Sequence, residues 1–132
     1  MAKFASESSL TDAIGATGIY GGTFDPVHLG HLRSALEVRN QLGLAEVKLL
    51  PNQQPPHRQQ PGASAVQRVQ MLELALAGVE GLVVDDRELH RKGPSYTVTS
   101  LQELRDEAPQ RPLCLILGSD AFFGLPDWHQ WH

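Results

Sequence analysis

Thiols are nearly absent: Cys114 is the only cysteine in 132 residues. No internal disulfide can form, so a reducing, cytoplasmic compartment is expected. Cys114 lies inside the apolar run Leu113 to Leu117, the setting of a buried inert thiol and not of a nucleophile. Long hydrophobic runs are missing too. No stretch reaches the roughly 18 apolar residues of a membrane span, so no membrane partner is expected. Residues 1–17 mix Ser, Glu and Asp without an uninterrupted apolar region, so they do not read as a secretory signal. They read as a flexible segment over 1–16. Nor is there surplus positive charge: 11 Lys and Arg face 15 Asp and Glu, a net charge of −4. That excludes tracking a nucleic-acid backbone by bulk charge. A local cationic pocket for a small anion is still allowed.

What is present is an alternating pattern. Four apolar runs read as buried strands: 18–20, 46–50, 81–84 and 112–117. The last is apolar on both faces, as in a central strand of a parallel sheet. Leu32, Ala35, Leu36 and Leu42 recur at helical spacing, with Gly43 placed to end that helix. Val66, Val69, Met71, Leu72, Leu74, Ala75 and Leu76 mark a second helix, with Ser64 as its cap and Gly78 as its stop. Residues 97–107 mark a third, through Val98, Leu101 and Leu104. The order β-α-β-α-β-α-β predicts one α/β domain over 17–132 with a parallel sheet. Ligands of such sheets bind beyond the carboxyl ends of the strands. The segments that follow each strand are therefore the candidate site.

After the first strand comes Gly21-Gly22-Thr23-Phe24-Asp25-Pro26-Val27-His28-Leu29-Gly30-His31. The glycines allow close approach of backbone N–H groups, and a helix should begin near Leu29 to His31. His28 and His31 are spaced to share one side of it. A phosphate cradle with two added imidazole donors is the leading reading. A capping turn with two surface histidines is one alternative. A two-histidine metal site is another, but no third ligand stands at a matching spacing. After the second strand comes Pro51-Asn52-Gln53-Gln54-Pro55-Pro56-His57-Arg58, a stiff loop with an amide and two cationic-capable groups. After the third, the run Asp85-Asp86-Arg87-Glu88 reads as a solvated strand end. Gly93-Pro94-Ser95-Tyr96-Thr97 follows, with Ser95 or Thr97 first of all a helix cap. After the fourth come Gly118-Ser119-Asp120 and a loop holding Trp128 and Trp131. These two could pack on the core or stack on a flat ring.

Together these stretches resemble a known family. The opening motif looks like the phosphate-binding signature of the HxGH nucleotidyltransferases. PNQQPPHR, GPSYT and GSDAFFGLPDWHQW look like the bacterial nicotinate-mononucleotide adenylyltransferases in particular. The resemblance covers about residues 17 to 132. It implies a Rossmann-like parallel sheet with helices on both faces. It also implies adenylyl transfer from ATP to nicotinate mononucleotide in NAD biosynthesis, giving deamido-NAD and pyrophosphate, with Mg2+ brought by ATP. On the same basis Gly21, Gly22, Thr23, Phe24, His28, His31, Gly118 and Asp120 would hold ATP. Asn52, His57, Arg58, Tyr96, Thr97 and Trp128 would form the acceptor pocket, with Trp128 stacked on the pyridine ring. His28, His31 and Arg58 would carry the catalytic charge. No metal ligand of the protein's own is implied. The alternatives are a related adenylyltransferase taking nicotinamide mononucleotide or another phosphorylated acceptor, and a non-catalytic nucleotide-binding module. The family pattern continues past the tryptophan loop into another strand, helices and an Arg-containing motif. His132 precedes these, so the domain is expected to be incomplete at its C-terminal side.

The residues suit that chemistry in their own right. A phosphomonoester nucleophile is already ionised at neutral pH because its second pKa is ~6. No general base is required, and no nucleophile–base pair stands out in the sequence. What the reaction needs is alignment and charge stabilisation on the leaving group.

Overall fold

In the computed structural model, which describes residues 15–22, 24, 27–52, 64–91 and 97–117, strand and helix alternate as the sequence pattern requires. The elements are β1 (Thr17–Gly22), α1 (Leu29–Leu42), β2 (Glu46–Pro51), α2 (Ala65–Leu76) and β3 (Leu82–Val84). A 3-10 turn (Arg87–Leu89), α3 (Thr97–Glu107) and β4 (Leu113–Ile116) follow. The strands form one parallel sheet in the order β3-β2-β1-β4. Chain order runs outward from β1 to β3 and then returns past β1 to β4. The reversal creates a switch point between β1 and β4, where a crevice opens beyond the strand ends.

Side chains alternate across the sheet, as they must on pleated strands. Val47 and Leu49 of β2 pack with Ala35, Val38, Leu72 and Leu76, so α1 and α2 cover one face. Ile19, Leu50, Leu113 and Leu115 pack with Leu101 and Leu104, so α3 covers the other. The expectation of helices on both faces therefore holds. Gly43 ends α1 with φ of 66°, a left-handed conformation that favours glycine. Ser64 caps α2 by accepting from the Gln67 N–H, while the Gln67 side chain accepts from the Ser64 N–H.

Three local expectations change. Val66 and Leu74 lie on the solvent side of α2, and its buried stripe is Arg68, Leu72 and Leu76. Apolar residues crowd both sides of that helix, so periodicity alone did not select the stripe. β4 is the outermost described strand, beside β1, and its Leu113, Cys114 and Leu115 are half-buried. Burial raises the Cys114 thiol pKa, in keeping with an inert group.

The third change concerns the acidic run after β3, which is not a solvated strand end. Arg87 donates to Asp85 through Nε at 2.9 Å and grips both Glu107 oxygens at 2.9 and 3.0 Å. Burial alone would raise the Asp85 carboxyl, but its bonds to Arg87 hold it below the ordinary range. Glu88 is buried and accepts from the Ser100 hydroxyl at 2.6 Å. Arg91 donates to Ser100 at 3.2 Å and to Glu103 at 2.7 Å. The run thus ties the 3-10 turn to α3. Thr97 is the first residue of α3, not its cap; Ser95 lies outside the described residues.

Removing the hydroxyl donor from a buried carboxylate costs about 1–3 kcal/mol. Ser100→Ala should therefore lower the urea midpoint at unchanged slope. An unchanged midpoint would show that the Glu88–Ser100 bond does not support the fold.

Candidate functional site

Among the described residues, β1 extends past β4 at its carboxyl end. Pairing with β4 stops at Tyr20–Ile116, whereas Gly21 and Gly22 continue alongside Leu50 and Pro51 of β2. The two glycines therefore border the crevice at the switch point. A Cβ on Gly22 would lie 3.3 Å from the Phe24 ring, so the glycine makes room for that ring. Phe24 has a left-handed φ of 51°, a conformation that costs a non-glycine residue about 1–3 kcal/mol and tends to occur at functional sites. The residue as a whole is 3% exposed, so Phe24 is a buried support beside the His31 ring.

The Phe24 ring meets the His31 ring edge-to-face at a centroid separation of 5.1 Å. On the other side of His31 the His28 ring stacks at 3.8 Å. Tyr20 completes the aromatic group, 5.6 Å from Phe24 and 6.4 Å from His31. His31 is thereby fixed at the head of α1.

The two imidazoles are also tied to the backbone, and each tie uses Nδ1. The His28 N–H donates to His31 Nδ1 at 3.0 Å. The Gly30 N–H donates to His28 Nδ1 at 3.1 Å. A nitrogen that accepts from an amide cannot carry its own proton in the same bond, so both rings keep their hydrogen on Nε2. Two neutral Nε2–H donors result. The glycine between them has a steric purpose: a Cβ on Gly30 would stand 2.9 and 3.0 Å from atoms of the His28 ring. Only glycine lets that ring fold back onto its own helix.

This arrangement refines the expected phosphate cradle. The Gly30 N–H is held by His28 Nδ1, and the His31 and Leu32 N–H groups by the His28 carbonyl at 3.0 and 3.4 Å. These helix amides are already occupied. Among the described residues, the Nε2–H donors are side-chain groups still able to meet an anion, with the helix dipole behind them. Burial first, and His28 second, hold the His31 imidazole below the ordinary value of 6.5. The metal reading gains nothing: among the described residues no three His, Cys, Asp or Glu side chains group to hold an ion.

Asn52 joins the same end of the sheet. Its N–H donates to the Gly22 carbonyl at 2.9 Å, and its own carbonyl accepts from Arg68 Nη1 at 2.6 Å. Gly21, Gly22, Phe24, His28, His31 and Asn52 are thus brought together. Thr97 heads α3, on the opposite face. Thr23, His57, Arg58, Tyr96, Gly118, Asp120 and Trp128 lie outside the described residues. Arg68, a buried cation, was not among the sequence candidates. Arg68, Leu72 and Leu76 are spaced by four, but Val66 and Leu74 are apolar on the other side of the helix, and only packing selects between the two.

A glycine loop and a histidine-capped helix meeting at the switch point of a parallel sheet define an α/β protein of the nucleotidyltransferase type. The chain belongs to the cytidylyltransferase-like family, whose match spans residues 19–132. Among its curated relatives, the probable nicotinate-nucleotide adenylyltransferase of Aeromonas hydrophila is 58% identical over 114 residues, covering 86% of this chain and 53% of that protein. Those of Methylococcus capsulatus and Pseudomonas aeruginosa are 58% and 56% identical, each covering 86% of this chain. The chain spans about half the length of these relatives, 53 to 55%. Among solved structures, Plasmodium falciparum nicotinic acid mononucleotide adenylyltransferase complexed with NaAD superposes with a TM-score of 0.75 at 19% identity, covering 88% of this chain and 58% of that one. The same enzyme complexed with APC gives 0.73 at 19% identity, covering 89% of this chain and 57% of that one. Among the described residues no helix is long and apolar enough to cross a membrane.

The His31 shift has a definite sign. Folding favours the neutral ring, so its contribution to stability is complete above the unfolded value near 6.5 and is lost as pH falls through the lower folded midpoint. In an NMR titration the His31 ring should titrate below 6.5. Amide exchange at His28, whose N–H is held by His31 Nδ1, should quicken as that ring takes up its proton. A midpoint above 6.5 would contradict the preference of the folded state for the neutral ring.

Proposed function

We propose that the protein transfers the adenylyl group of ATP to nicotinate mononucleotide, releasing pyrophosphate. The observation that carries this reading is the pair of backbone-locked Nε2–H donors beside Gly21 and Gly22 at the switch point. The names of relatives at 53 to 58% identity support it. A phosphate oxygen of the acceptor attacks the α-phosphorus of ATP. The bond from that phosphorus to the bridging oxygen breaks, and the pair of electrons leaves with pyrophosphate. The acceptor phosphate is largely ionised at neutral pH, since its second pKa is ~6, so no side chain has to remove a proton.

The protein's contribution is position and charge stabilisation. His28 and His31 donate from Nε2 to phosphate oxygens on which charge grows as pyrophosphate departs. Gly21 and Gly22 admit the triphosphate close to the backbone. Arg58 adds fixed charge, and Thr23, Gly118 and Asp120 complete the ATP site. Asn52, His57, Arg58, Tyr96, Thr97 and Trp128 shape the acceptor site, Trp128 by stacking on the pyridine ring. Mg2+ brought in with ATP would supply charge neutralisation for the phosphates that the Nε2–H donors and Arg58 face.

The test is pyrophosphate release by the full-length protein with ATP and nicotinate mononucleotide. Nicotinamide mononucleotide serves as the comparison acceptor. No release with either sinks the proposal, and faster release with the amide overturns the acceptor assignment. His31→Ala removes a donor needed most in the transition state, so turnover should fall ~10²- to 10³-fold with ATP affinity changed far less. A higher Michaelis constant at unchanged turnover would contradict that role. Trp128→Ala should raise the Michaelis constant for the mononucleotide and leave that for ATP nearly as it was. Equal losses for both substrates would count against the stacking.

A further inference from the structure

The ends of β1, β2 and α2 are joined by one short chain of hydrogen bonds. The Gly22 carbonyl accepts from the Asn52 N–H at 2.9 Å. The Asn52 carbonyl accepts from Arg68 Nη1 at 2.6 Å. Gly22 closes the strand that enters the glycine loop, and Asn52 directly follows Pro51, the last residue of β2. Arg68 is 2% exposed, and the remaining buried positions of its helix are Leu72 and Leu76. A leucine or methionine at position 68 would fill such a stripe without the desolvation penalty of a guanidinium. What this charge holds includes a main-chain carbonyl at the exit of β2.

We propose that Arg68 is a positioning residue that sets the separation between the two substrate sites. This inference rests on the adenylyl-transfer reading above. In that reading ATP lies on the Gly21–Gly22 side and the acceptor on the Asn52 side. The bond from the Asn52 N–H to the Gly22 carbonyl then joins the two sides, and Arg68 braces its Asn52 end. Arg68 touches neither substrate. It holds the peptide carbonyl of Asn52, and through the Asn52 N–H it holds the register of β2 against the end of β1. Loosening it lets the reacting phosphates drift from in-line geometry while each site can still bind its own ligand. A misplacement of about 1 Å lowers rate by ~10²-fold.

The experiment compares full-length wild-type protein with Arg68→Met and Arg68→Lys. Turnover and both Michaelis constants are measured per folded molecule, with amide hydrogen exchange by NMR alongside. In Arg68→Met, turnover should fall ~10- to 100-fold while both Michaelis constants stay within about threefold. Exchange at Asn52 should rise about tenfold or more, while Ala35 in the middle of α1 keeps its protection. Arg68→Lys retains a cation and a donor, and should recover part of both the turnover and the Asn52 protection. Turnover within about twofold of wild type, or a rise only in Michaelis constants, would overturn the proposal. So would equal loss of protection at Asn52 and Ala35, which signals general destabilisation. Should the methionine variant not fold, the lysine variant decides by the same comparison of Asn52 with Ala35. If the wild type releases no pyrophosphate, the reaction assignment falls, and the exchange comparison alone decides whether Arg68 holds the two strand ends.

Discussion

The site depends on two bonds that run from main chain to imidazole. The His28 N–H points at His31 Nδ1, and the Gly30 N–H points at His28 Nδ1. They start α1, choose the tautomer of both rings, and set the direction of their remaining hydrogens. The same contacts explain the glycine between the histidines, because the folded-back His28 ring occupies the space a Cβ would need. Helix capping and ligand chemistry are therefore one arrangement. The capping turn is observed, and the proposed anion site would use the same two rings.

That arrangement gains its meaning from where the sheet puts it. Because β4 returns to the far side of β1, the end of β1 borders an open crevice. Phe24 adopts a left-handed backbone angle to place its ring under His31, and Gly22 gives the ring room. On the other side, Asn52 and Arg68 tie the end of β2 to the same point. On the far face, Arg87, Glu88, Arg91 and Ser100 bind the turn after β3 to α3. These polar fastenings stand at the sheet's carboxyl end and on its α3 side, while the core beneath is aliphatic.

Element order, the parallel sheet and the ends of α1 and α3 were legible in the sequence. Strand and helix periods alternate cleanly, and Gly43 and Ser64 are strong local signals. The opening motif was legible as a site because so many unusual residues share one turn. Other features were not legible. The acidic run after β3 looked solvated because its partners, Ser100, Glu103 and Glu107, are distant in sequence. Arg68 was passed over because α2 carries apolar residues on both sides, and only the packing shows which side is inside. The filled state of the α1 amides could not be foreseen either, since it turns on which way two imidazoles rotate.

The neutrality of the two rings has a consequence for selectivity. A permanently charged pocket attracts every anion in solution, with a strength that mobile ions dilute. Two uncharged N–H groups attract little from afar and reward only an oxygen that arrives along both of their axes. Geometry then does the sorting that charge cannot. By locking both imidazoles onto its own backbone, the chain trades long-range pull for a narrow angle of acceptance. In the proposed site, an extended anion held in place by the rest of its own structure would gain most.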